Sequence, residues 1–163
     1  MSKKFGFLFD IEVVDPKTGL ILDRETVHNL TPTEGENHIL NVVVKGAAPI
    51  TSWYVMIYEG NYTPLASDTG ATFPASATEC TGYVESARQA FVPGTVVAGA
   101  VDNSASPANF TSNANKTIYG LAIVSASAKG ATAQTLLSAV KFATAKNFDA
   151  GTLLRVTGGL ALS

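Results

Sequence analysis

Two histidines, His28 and His38, limit the catalytic arrangements this chain offers. A hydrolytic triad needs a nucleophile, an imidazole and an orienting carboxylate converging in space. Each histidine falls where a strand is expected to end or begin, as a polar edge residue, and no Gly-x-Ser-x-Gly turn is present to expose a serine. The pairs Asp10/Glu12 and Glu34/Glu36 have the i, i+2 spacing that points two carboxylates the same way on a strand, as paired acid–base chemistry on a glycoside would use. Their plainer reading is solvent-facing charge opposite a core face for the first pair and loop solubility for the second. Gly158-Gly159 lacks the spacing of a phosphate-cradling loop and reads as a bulge or the close approach of another backbone. A single cysteine, Cys80, makes no intrachain disulfide and no zinc-ligand pattern, and is read as a small, partly buried residue. Trp53, Tyr54, Tyr58 and Tyr62 suggest a sugar platform, but the first three lie on one expected strand, where they pack a core. Tyr62 alone looks loop-borne. No catalytic, cofactor-binding or metal-binding residue is assigned, and the chain is not read as an enzyme.

Composition points elsewhere. Charged residues make up 15% of the 163 residues, against about 25% in an ordinary soluble domain. Taking an ion out of water is costly unless it finds a partner, and the centres of protein interfaces are accordingly poor in charge. A surface built largely of Ala, Ser, Thr, Gly and Asn hides cheaply against another protein. The alternative is a plain β-domain with a Ser/Thr-rich exterior. The net charge of -2 and the dispersed Lys and Arg leave no footprint for a nucleic-acid backbone. The opening MSKKFGFLFDIE places Asp10 and Glu12 too early for a signal peptide, so export is not expected, and no run approaches a membrane-spanning helix.

The elements follow from periodicity. Phe5, Phe7, Phe9, Ile11 and Val13 share one parity, with Asp10 and Glu12 on the other, the mark of a half-buried strand. Asp15-Pro16-Lys17-Thr18-Gly19 is a turn into a second strand at 20–28. Residues 31–36 read as a polar loop before a third strand from Ile39 to Val44, rich in β-branched residues. The run from Trp53 to Tyr58 is apolar on both parities, so both of its faces should be covered. Segments 61–78 and 102–115 are long, weakly patterned loops, either interaction arms or surface excursions. Between them, 83–100 reads as two strands broken at Pro93-Gly94, with a helical turn at 86–90 as the rival. Strands are expected at 116–127 and 136–142, the latter with a competing helix at 134–145. After a turn at 148–151, Leu154, Val156, Leu160 and Leu162 keep one parity in a terminal strand. Eight or nine short strands without βαβ alternation favour one all-β domain over residues 1–163. The fold class expected is an antiparallel β-sandwich, Greek-key or jelly-roll-like, with long loops.

The runs WYVMIYEGNYTP, TGYVESARQAF, KTIYGLAIVSAS and FDAGTLLRVTGGLALS resemble small virion structural proteins of tailed bacteriophages, of the capsid decoration or cement type. The resemblance spans roughly two thirds of the chain. It implies a homo-oligomeric β-sandwich in the virion, partnered by the major capsid protein or other virion proteins, with no cofactor, nucleic acid or membrane. A neck, tail, fibre or spike component that meets a host receptor is the alternative. The hairpin at 4–28, where the resemblance is weakest, is the segment that would adapt to a particular lattice. Candidate interface residues are Trp53, Tyr62, Phe73, Glu85, Arg88 and Phe110. Glu85 and Arg88, set among uncharged residues, either pair with each other or reach across a subunit boundary. Phe73 and Phe110 serve as docking arms if their replacement by Ser leaves a folded monomer; unfolding would mark them as core.

Overall fold

In a computed structural model that describes residues 6–161, the parity of the first strand becomes a buried face. Phe7, Phe9, Ile11 and Val13 of β1 (Phe7–Val14) lie inside, while Leu8, Asp10 and Glu12 face out. Phe5 and Leu162, assigned by the same parity, lie outside the described residues. The Asp15 carboxylate accepts the Lys17 N–H (2.9 Å) and the Thr18 hydroxyl (2.8 Å), and Gly19 takes a φ of 73°. That turn returns the chain as β2 (Ile21–His28), antiparallel to β1.

Residues 33–43 depart from expectation. They form a helix, α1 (Thr33–Val43), where a loop and a strand were expected. Inward-turned positions Gly35, His38, Ile39 and Val42 recur at i, i+3, i+4 and i+7, the helical period. The β-branched run at 42–44 obscured that spacing. Tertiary contact settles the outcome: the Glu34 carboxylate accepts the backbone N–H groups of Gly70 and Leu136, both at 2.7 Å, and docks the first turn on the sheet.

The remaining elements are β3 (Trp53–Tyr58), a single-turn α2 (Phe73–Ser76), β4 (Gln89–Phe91), β5 (Ala100–Asp102), β6 (Ala108–Thr111), β7 (Lys116–Val124), β8 (Leu136–Phe148) and β9 (Leu153–Ala161). One sheet runs β2-β1-β9-β5, with β6 also on β9; the other runs β4-β3-β7-β8. All pairings are antiparallel, and the chain changes sheet after β2, β4, β6 and β8. This is the expected antiparallel β-sandwich, with its last strand returned beside its first. The helix considered at 134–145 is instead the long strand β8. At Gly159 the Val101 carbonyl of β5 lies 3.5 Å from where a Cβ would sit, the backbone approach expected there, whereas Gly158 is neither at a bulge nor under another backbone. The β1/β9 ladder passes through it in register, and the Phe9 ring fills the space a Cβ would take.

The main core lies between the sheets and includes Phe9, Ile11, Val55, Ile57, Phe110, Leu121, Ile123 and Val156. A second cluster covers the outer face of β3 and β7, where Met56, Tyr58, Ala122 and Val124 meet Phe73 and Ala77. The strand that is apolar on both parities is thus covered on both faces, and segment 61–78 supplies the second cover. Phe73 packs edge-on against Tyr58 and Tyr62, with centroids at 5.6 and 5.9 Å. Cys80 is fully buried, and burial pushes its thiol pKa up, away from reactivity.

The two sheets are also joined by charge. Lys146 of β8, 2% exposed, meets Asp23 (3.2 Å) and Glu25 (2.9 Å) of β2. Burial raises the Glu25 carboxyl pKa, but its bonds from Lys146 and from the Ala143 and Thr144 N–H groups outweigh that and hold it below the ordinary carboxylate value. Its contribution is therefore present above the unfolded value near 4.5 and is lost as pH falls through the lower folded value. Thermal melts of Glu25→Gln should show a weaker loss of stability on acidification through this window than the native chain shows. Phe73 and Phe110 are both fully buried. Phe73→Ser and Phe110→Ser should each cost at least about 3 kcal/mol in urea denaturation, rather than leave a stable monomer.

Candidate interaction surface

Three of the six residues singled out in the sequence are buried. Phe73 plugs the outer cover of the second sheet; Phe110 stacks edge-on against Tyr83 in the main core, centroids 5.0 Å apart. Arg88 is 2% exposed and pairs with Glu79, not with Glu85. Its guanidinium grips that carboxylate at 2.8 and 2.7 Å and also donates to the Ala126 carbonyl (2.9 Å) and the Gln134 side chain (2.6 Å). It thereby ties residues 79–88 to the connection between β7 and β8. Glu85, half-buried, accepts the Thr111 N–H at 3.1 and 3.0 Å and aligns β6. Tyr62 turns inward, its hydroxyl donating to Asp68 at 2.8 Å. Trp53 alone sits at the margin of an open surface, half-buried and edge-on to His38 at 5.5 Å.

Three of the four carboxylates considered for catalysis are occupied. Asp10 accepts the Thr26 hydroxyl and lies 3.5 Å from Arg24, while Glu12 meets Arg155 at 3.2 Å. Glu34 holds α1 in place, as described. Glu36 lines a groove of about 1180 Å³ on the outer face of the first sheet, with Leu8, Asp10, His28, Asp102 and Thr157.

What the sequence reading missed is an uncharged end of the sandwich. Trp53 pairs with Phe91, so the chain entering β3 and the chain leaving β4 lie side by side. Eleven residues between 40 and 52, and all nine from 92 to 100, are exposed, with Lys45 their single charge. Leu40 (56%), Val43 (76%), Val44 (73%), Val96 (68%) and Val97 (67%) present apolar side chains to solvent. The absence of any charged residue from Gln89 to Val101 was the available signal.

Residues 92–99 form an exposed β-arm that folds back on β5. Val97 and Ala100 exchange both backbone hydrogen bonds at 2.9 Å, and the Gly94 N–H reaches the Asp102 carbonyl at 2.7 Å. At its tip Ala98 and Gly99 take positive φ values of 49° and 77°, the two-residue turn that matches strand twist. Glycine accepts that conformation freely, whereas alanine does so at a cost.

No family model matches this chain, and no curated protein matches it either.

Asparagine tolerates the left-handed region better than alanine. Ala98→Asn should therefore stabilise the protein by about 1 kcal/mol in chemical denaturation, with an unchanged circular dichroism spectrum.

Proposed function

We propose that this chain is a bacteriophage virion structural protein, a capsid decoration or cement protein that stabilises the head by packing on the major capsid protein and on copies of itself. The observation that carries this reading is the uncharged end. Its twenty exposed residues match the roughly 20–30 a side of a standard interface of about 1,600 Å². Covering this surface releases water from valine and leucine side chains and strips only Lys45 of its hydration. Modest contacts of this kind, repeated over a lattice, add through avidity. The phage setting rests on the sequence runs that resemble tailed-phage virion proteins. The buried pairs Arg88–Glu79 and Lys146–Glu25 suit a role in which the sandwich stays rigid under load.

Quantitative mass spectrometry of purified particles tests the assignment. Hundreds of copies per particle are expected for a shell protein. A count of about three to twelve, a number set by ring symmetry, would move it to the neck, tail or fibre. Absence from particles would sink the virion reading.

A further inference from the structure

We infer that the outer edge of the β-arm, centred on Val96, pairs antiparallel with the same edge of a second copy across a two-fold axis. The self-contact deepens the assembly reading and rests on it for purpose, while its geometry comes from the arm alone. Bonding groups of neighbouring residues in an extended chain point opposite ways; the alternation holds from Val96 to Val97 and is interrupted before them, where the Gly94 N–H also turns to Asp102. Val97 spends its N–H and C=O on Ala100, so those of Val96 point away from the sandwich. Neither has a partner among the described residues.

The other sheet edges are protected. β2 carries Asp23, Arg24 and Glu25 and is stitched to β8 through Lys146. β8 is bonded by Leu30 at Ala139 and by Glu25 at Ala143 and Thr144. β4 is three residues long and runs into Pro93. The segment Gly94-Thr95-Val96-Val97 has no charge and two exposed valines, and an unprotected edge of that kind recruits another strand.

A second copy fits because the sequence is self-compatible. Two-fold pairing sets Val96 against Val96 in a hydrogen-bonded pair and Thr95 against Val97, so β-branched residues meet and no like charges do. Pro93, which has no N–H, and the turn at Ala98 end the register on either side. The contact therefore closes as a dimer instead of propagating. The exposed residues at 40–52, which flank the arm at the same end, bring the available surface up to what a stable dimer needs.

Sedimentation velocity on the full chain, over about 10 μM to 1 mM, should show reversible dimerisation. Val96→Lys and Val96→Glu, at a position 68% exposed, should each retain the native melting temperature and weaken self-association at least roughly tenfold. An equimolar mixture of the two should recover the dimer, because opposite charges then face each other at the axis. A native chain that stays monomeric throughout, a dimer that Val96→Lys leaves intact, or a mixture that stays monomeric would each overturn the pairing. A Val96-dependent dimer formed by a protein absent from particles would support the pairing while rejecting the virion assignment.

Discussion

β3 presents apolar side chains on both faces, and much of the molecule is arranged to keep water from both. Val55 and Ile57 face the other sheet, which is what a sandwich provides. Met56 and Tyr58 face the opposite way, and no second sheet lies there. A cover must be made from connecting chain, and segment 61–78 is committed to that task through Phe73 and Ala77. The commitment spreads: Glu34 of α1 binds Gly70 within the cover and Leu136 at the start of β8, so helix, cover and sheet form one unit.

The buried Arg88–Glu79 pair has a related role. Leaving the cover, the chain must return to the sheet through residues 79–88, a stretch nearly without ladders of its own. The guanidinium supplies what the ladder does not, with two bonds to one carboxylate and others to the loop at 126–134. A charge so enclosed is tolerable because its donors are used. Segments 61–78 and 102–115, read from sequence as arms or surface excursions, are held by Phe73 and by the β6/β9 ladder, and the exposed stretches with almost no charge are 40–52 and 92–100.

The outward-facing surfaces differ accordingly. The outer face of the first sheet carries paired charges, with Asp10, Glu12, Arg24 and Arg155 compensating one another around the exposed Leu8 and Leu22. The arm side is apolar, with an open backbone edge. A surface of neutralised charges stays hydrated at little cost, whereas valines and an unpaired edge gain by contact.

Alternation marked β1 and β9, because a half-buried strand writes its period of two directly into residue type; the turn at 15–19 marked β2, and apolar runs marked β3, β7 and, against a rival helix, the first half of β8. Low charge was equally legible. The location of the uncharged surface was not, since composition counts residues without placing them. Phe73 and Phe110 look the same in sequence whether they project or plug, and only the second layer over β3 and the packing against Tyr83 made them core. Arg88 found Glu79 nine residues away, and not Glu85 three away, because the fold brings the former into the same buried pocket. The helix at Thr33–Val43 was decided the same way: Gly35 fits against the β8 backbone and Glu34 accepts the Leu136 N–H at that strand's start and the Gly70 N–H of the cover, and these contacts outweigh the strand preference of three consecutive valines. Local pattern determined the long strands; long-range contacts decided that 33–43 is a helix and which side chains are buried.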